Sequence, residues 1–244
     1  MADPEGEDRL QISMIDISRA YFNARTKDED PVYVALPPED PDHGKGLCGK
    51  LLVHMYGTRR AADGWHSEYS EALEELGFVR GQSSACVFCH PERQLVTSVH
   101  GDDFATAGAK RSLDWFRTEL ERRYELKEEA RLGPSQNDDK EGKVLNRIVR
   151  FTPMGITYEA DPRQAEKLID ELGLSQQPGT AEVKAVVSPC VKVIREQVAK
   201  DTALPSHKVS HFRGLAARAN YLAADRPDIQ FAAKEVCRWM QEPT

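Results

Sequence analysis

The run QLVTSVHGDDFATAG, residues 94–108, constrains this chain more than any other stretch. Strand-like residues 94–99 lead into Gly101-Asp102-Asp103, and a second short apolar run, FATA, follows. Strand, tight turn, strand is a hairpin signal, and Gly101 supplies an unusual φ if the turn needs one. The same hairpin carries two adjacent carboxylates to its tip. Like charges there repel each other unless a cation or solvent relieves them.

The flanking sequence supplies the other elements. In residues 10–24, LQISMIDISRAYFNA, Leu10, Ile12 and Met14 alternate with polar neighbours at strand period. Ile17, Ala20, Tyr21 and Ala24 then follow at helical spacing, which predicts a strand running into a helix at Asp16. Residues 31–36 read as a short strand closed by Pro37-Pro38. Trp65, Tyr69, Ala72, Leu73 and Leu76 line one face of a helix over 63–76, with Gly77 as its C-cap. Residues 85–89 form a further strand, and Leu113, Phe116, Leu120 and Tyr124 mark a helix over 111–124. The polar stretch 133–143 reads as an exposed loop. A second hairpin follows over 144–151 and 155–158, then a helix over 162–173 ending at Gly173. Residues 175–207, which carry Pro178, Gly179, Pro189 and Pro205, suggest an irregular connector with a short helix near 190–199, and 209–241 suggest helices broken at Pro227.

Length and charge bound the partners. A chain of 244 residues is one large domain or two small ones. A net charge of −7 excludes a strongly cationic coat that grips phosphate by bulk electrostatics, although local basic clusters still can. No run of ~18 uncharged apolar residues occurs, so no membrane span is expected. The acidic N-terminus is not a signal peptide. Five scattered cysteines argue against a disulfide framework, and an intracellular location, cytoplasmic or nuclear, is expected.

Asp16 sits at the end of an otherwise apolar strand, and Asp102-Asp103 sit in a turn. An isolated Asp-Asp pair is most often only a solvated turn. Brought beside Asp16, however, the hairpin would offer hard oxygen ligands suited to Mg²⁺. Two such ions ~4 Å apart would serve phosphoryl chemistry.

Collinear blocks give this reading a family. DISRAYFNA (16–24) precedes VYVALPPE (32–39), MYGTRRAADGW (55–65), ELGFVRGQSSACVF (75–88) and VHGDDFATAG (99–108). YELKEEARLG (124–133), the stretch 144–174, and Tyr221-Leu222 with Arg226-Pro227-Asp228-Ile229 complete the order. Over roughly residues 10–240 the chain resembles copia-type retrotransposon reverse transcriptases, in particular a palm and thumb segment of a Pol polyprotein. The resemblance implies an α+β fold: a polymerase palm with an antiparallel sheet and packed helices, followed by a mainly helical thumb or connection. Its expected divisions are a flexible tail at 1–9, the palm at 10–160 with a loop over 131–143, and the thumb-like region at 161–244. Because the chain starts fifteen residues before Asp16, the fingers are expected to be largely absent, and the isolated chain to extend a primer at most in traces.

The implied activity is RNA-directed DNA polymerisation by two-metal nucleotidyl transfer with Mg²⁺, or Mn²⁺ in its place. By position, Asp16, Asp102 and Asp103 are the implied catalytic residues. The metal ligands would be Asp16, Asp102 and the backbone carbonyl of Ile17, with Asp103 in support. Tyr21 would pack under the deoxyribose, and Arg59, Arg60 and Lys127 would contact substrate. Implied partners are an RNA or DNA template with its primer, a dNTP, and further Pol domains such as RNase H and integrase. The chain departs from the family pattern at His100-Gly101, where a Tyr-Val is usual, at Arg60 in place of Gln, and at Ala62 in place of Pro. These departures keep a second reading open, a catalytically inactive palm fragment that binds nucleic acid or protein. A Mg²⁺-dependent phosphatase or nuclease using the same carboxylates is a third, disfavoured by the tyrosine and thumb-like blocks.

Weaker signals have plainer readings. Cys86-Val-Phe-Cys89-His90 matches a haem-attachment spacing but lies in a strand. His100 beside Asp102 is more often a solvated turn imidazole than a ligand. Arg111, Arg117, Arg122 and Arg123 could touch a template, although such residues more often form a solvated face with Glu119, Glu121 and Glu125. Trp65 reads as core, and Arg60 as either a phosphate contact or a partner of Asp63 or Glu68.

Overall fold

The structure, a computed structural model, describes residues 6–174 and 202–244. The chain divides into two compact units, one of residues up to 144 with 149–157, the other of 145–148 with 158–244. In chain order the first elements are β1 (Leu10–Ile17), β2 (Tyr33–Ala35), β3 (Cys48–Lys50), α1 (Ala61–Glu75), β4 (Val79–Arg80), β5 (Val87–His90), β6 (Leu95–His100), β7 (Asp103–Ala109) and α2 (Lys110–Glu121). They are followed by β8 (Leu126–Leu132), β9 (Glu141–Val144), β10 (Arg147–Thr152), β11 (Gly155–Glu159), α3 (Pro162–Glu171), α4 (Ser206–Ala223) and α5 (Gln230–Cys237).

A six-stranded antiparallel sheet in the order β4-β5-β6-β7-β1-β8 organises the first unit. Period-two alternation sends Leu95, Val99, Phe104, Ile15 and Ile17 to one face, where Trp65, Tyr69 and Leu73 of α1 and Leu113, Phe116 and Leu120 of α2 cover them. Met14, Ala130 and Leu132 form a second cluster with Val149, flanked by Ile12, Val144 and Phe151. Strand β1 therefore feeds both cores, and a register shift against β8 between Met14 and Ile15 accompanies the change.

Sequence signals account for the ends of α1 and α3. Gly77 takes φ 94°, its N–H donates to Glu74 O, and the Phe78 N–H donates to Leu73 O. These two bonds make the Schellman closure that a left-handed glycine permits. At α3 the Asp161 carboxylate caps the Arg163 N–H, with Pro162 in the first turn.

Several expectations are corrected. The helix expected after Asp16 is a single 3-10 turn over Ala20–Asn23, because Arg19 ahead of it is left-handed at φ 54° and the chain is extended again at Ala24. The loop expected over 131–143 is not a free loop. Residues 131–132 finish β8, 141–144 are β9 in a three-stranded sheet β11-β10-β9, and Ser135 is buried. The tail expected over 1–9 is held at its described end, where Arg9 is buried and Lys110 pairs with Glu7. The helix expected near 190–199 lies outside the described residues. The break at Pro227 is a 3-10 turn, Pro227–Ile229, between α4 and α5.

Arg9 and Asp138 explain both the held N-terminus and the ordered loop. Arg9 Nε and Nη2 each donate to the Asp138 carboxylate at 3.3 Å, Gln11 Nε2 donates at 2.7 Å, and the Ser135 N–H at 3.0 Å. Burial pushes the Asp138 carboxyl up, but these bonds outweigh it and hold the pKa below the usual value of 3.8. A depressed folded pKa contributes stability that is present above pH 3.8 and lost as pH falls through the folded value. Asp138→Ala, which removes the carboxylate shared by Arg9, Gln11 and the Ser135 N–H, is expected to cost about 3 kcal/mol in urea unfolding at pH 7. The difference from the unmutated chain should narrow as pH drops below 4; a constant difference would show that packing, not charge, holds the loop.

Candidate metal centre

The β1–β7 register sets the geometry of the acidic site. Asp16 lies directly opposite Asp103 in the ladder, and directly opposed residues share one face of a sheet. Since Ile15 and Ile17 point into the helix-covered core, Asp16 and Asp103 point to the other face. Asp102 joins them from the turn, where Gly101 takes φ 64° in the two-residue connection between paired His100 and Asp103. The ladder continues one bond further, with the Ile17 N–H donating to Asp102 O at 2.9 Å.

One carboxylate oxygen from each of Asp16, Asp102 and Asp103 lies within 4.8 Å of the others. All three residues are half-buried. Burial raises the Asp16 pKa, the Asp102 and Glu129 carboxylates raise it further, and Lys127 opposes them. Burial likewise raises Asp103, followed by Asp102, Asp16 and Glu129, with His100 opposing. The nearby cations therefore leave negative charge uncompensated. Three hard oxygen donors with unrelieved charge suit a divalent cation such as Mg²⁺ or Mn²⁺.

The other expected site residues divide into two groups. Lys127 sits opposite Asp16 on β8 and is ion-paired with Glu129 at 3.3 Å. Tyr21, in the 3-10 turn, packs its ring on Tyr56 with centroids 4.4 Å apart. Arg59 and Arg60 instead line a cavity of about 730 Å³, whose walls include Arg25, Lys27, His54, Asp63 and Glu68 but none of the three aspartates. Arg60 pairs there with Asp30, not with Asp63 or Glu68.

Tyr56 is the site residue that the sequence reading passed over. Burial, then the Asp102 carboxylate and Tyr21, push its phenol above the ordinary value against hydrogen bonds from the backbone of Ala20 and Tyr21. An aromatic residue immediately before Gly57 was the available signal. Its partner lies 35 positions upstream, beyond the reach of local pattern.

The weaker signals resolve into structure. Cys89 is exposed while adjacent His90 is buried against Phe78 and Trp115, so the Cys86–His90 run is an ordinary alternating strand. His100 is not a member of the carboxylate cluster. The arginines of α2 and its end are neutralised: Arg111 by Asp8, Arg117 by Glu121 and Glu128, Arg122 by Glu119, and Arg123 by Glu75. Glu125 pairs with Arg19 instead. No described helix is long and apolar enough to cross a membrane.

The family described as reverse transcriptase (RNA-dependent DNA polymerase) matches residues 5–134. The chain is 25% identical over 242 residues to the Retrovirus-related Pol polyprotein from transposon RE2 of Arabidopsis thaliana. It is 24% identical over 238 residues to the corresponding polyprotein from transposon RE1 of the same plant. Each alignment covers 96% of this chain and 15% of the relative, so the chain spans only a small part of their length.

The raised carboxylates carry a signed consequence. A raised folded pKa costs stability; the cost is absent below pH 3.8 and complete above the folded values. In EDTA at pH 7, Asp103→Asn is therefore expected to raise Tm by about 1–3 °C. It should also shrink the Tm gain produced by millimolar Mn²⁺. A variant that melts lower in EDTA would show that Asp103 is not in repulsive contact with its neighbours.

Proposed function

The chain belongs to the reverse transcriptase (RNA-dependent DNA polymerase) family, and on that premise we propose that it is the polymerase segment of a retrotransposon Pol polyprotein, acting in nucleotidyl transfer to a primer end. The observation that carries this reading is the half-buried triad Asp16, Asp102 and Asp103, with ligand oxygens within 4.8 Å and their charge unrelieved. Asp16 and Asp102 would hold Mg²⁺ in a two-cation arrangement, assisted by the Ile17 carbonyl and supported by Asp103. Bound there, the cations would neutralise charge on a phosphoryl group and acidify a primer hydroxyl.

The chain's own residues would do the rest. The Tyr21 ring, backed by Tyr56, offers a rigid wall beneath a deoxyribose that a 2′-hydroxyl would crowd, favouring dNTP over rNTP. Lys127, opposite Asp16, offers a positive charge to an incoming phosphate. Arg59 and Arg60, on their separate cavity, would contact template phosphates, with Arg60 exchanging Asp30 for phosphate. In domain terms, the sheet with α1 and α2 would be the palm, within residues 10–160, and α3 onward, within 161–244, the thumb or connection. Proposed partners are an RNA or DNA template with its primer, a dNTP, and other Pol domains such as RNase H and integrase.

Primer extension on an RNA template tests the reading directly. Asp102→Asn is expected to take nucleotide incorporation in Mg²⁺ or Mn²⁺, at most a trace in the isolated chain, below detection, and EDTA to abolish it. Equal incorporation by the variant would sink the proposal. For the cavity, Arg60→Gln is expected to weaken template binding and lower the slope of log affinity against log salt by about one unit. An unchanged slope would leave Arg60 only its pairing with Asp30.

A further inference from the structure

The Trp65 indole Nε1–H donates to the carbonyl of Gly101 at 2.7 Å, a bond from the helix layer to the tip of the β6–β7 hairpin. The donor is well fixed. Trp65 is 1% exposed, and its ring meets Tyr69 and Tyr124 edge-on at centroid distances of 5.6 and 5.3 Å. The acceptor is not fixed by packing. Gly101 is exposed, and a Cβ built on it would find nothing within 4 Å. On the far side of Asp102 the Ile17 N–H holds the Asp102 carbonyl at 2.9 Å. The residue that completes the carboxylate triad thus hangs between two hydrogen bonds, one of them from Trp65.

We propose that Trp65 is a positioning residue, whose N–H holds the hairpin tip so that the Asp102 carboxylate stays within ligand distance of Asp16 and Asp103. The inference rests on the reading of those three carboxylates as a divalent-cation site. Its physical basis is the repulsion among them, which favours any movement of the exposed turn that swings Asp102 away. A hydrogen bond from a buried, rigid ring opposes that movement. Water can replace the indole as donor to an exposed carbonyl, so loss of the bond should loosen the turn more than it weakens the fold.

The test replaces the Trp65 indole by its benzothiophene isostere, which keeps the shape and loses the N–H, with Trp65→Phe as the genetically simple companion. Two readouts are taken: Mn²⁺ affinity by electron paramagnetic resonance, and amide exchange at Ile17 in the metal-free chain. The isostere is expected to bind Mn²⁺ roughly threefold to tenfold more weakly, the equivalent of one net hydrogen bond. Ile17 exchange should quicken by a similar factor. Phe116→Leu, a change in the same core away from the turn, should lower Tm yet leave Mn²⁺ affinity within twofold. Affinity and exchange both unchanged in the isostere would overturn the positioning role, while loss of Mn²⁺ binding in Asp102→Asn would leave the site reading standing. An unmutated chain that binds no Mn²⁺ would overturn the site reading and the role of Trp65 with it.

Discussion

The register of β1 against β7 is the constraint on which the rest of the first unit depends. With Asp16 opposite Asp103, Ile15 and Ile17 face the helices while Met14 and Asp16 face away. A slip of one residue would exchange these sets, putting Asp16 in the apolar core and Ile17 beside Asp103. The apolar area at stake makes that slip prohibitive, because Ile17, Phe104, Val99 and Leu95 are all almost fully buried. The carboxylates meet because the core will not allow them to be elsewhere.

That arrangement also shows how three mutually repelling carboxylates are held together. The β6–β7 hairpin is pinned below its tip by Thr97 and Thr106, whose buried hydroxyls bond at 2.7 Å, and at its tip by Trp65. Trp65 belongs in turn to a stack of edge-on rings through Tyr69 to Phe88 and Phe104, so α1, β5 and β7 are locked together. The helix that bears Trp65 ends in a closure that needs Gly77. Local sequence, packing and electrostatics thus join in one chain of cause. A left-handed glycine stops α1, α1 presents the rings, and the rings hold the turn where the charges collide.

Most of this was legible in the sequence wherever the signal was local or strongly periodic. The hairpin at Gly101, helices α1 and α2, the Gly77 stop and the break at Pro227 all follow from spacing and turn chemistry. The failures have a common physical cause. Helical spacing at Ile17, Ala20 and Tyr21 looked like a helix because periodicity ignores the left-handed Arg19 that confines it to one turn. Strand β9 was hidden in a polar run because its side chains, Glu141 to Val144, stay exposed or half-buried and carry no period-two apolar signal. Arg9 and Asp138 are separated by 129 residues, and nothing in either neighbourhood announces the pairing. At the site, the three aspartates were named from pattern and family resemblance. Tyr56 was missed because its significance lies entirely in what the fold stacks beside it.

Charge accounting narrows where a nucleic-acid strand could be held. With a net charge of −7, the chain has no long-range attraction for phosphate, so affinity must come from local cations, most of all from those not already neutralised. The arginines of α2 do not qualify, since Asp8, Glu119, Glu121, Glu128 and Glu75 already occupy them. Displacing those acids would recover only the difference between two ion pairs, a small quantity at an exposed surface. Arg25, Lys27 and Arg59 differ, for they make no ion pair among the described residues and share the walls of one cavity. A phosphate entering there would meet charges with no ion pair to displace among the described residues, with Glu29, Asp63 and Glu71 nearby to repel it if its placement is poor. Such mixed lining disfavours indiscriminate capture of anions and rewards a strand whose phosphates arrive at the right spacing.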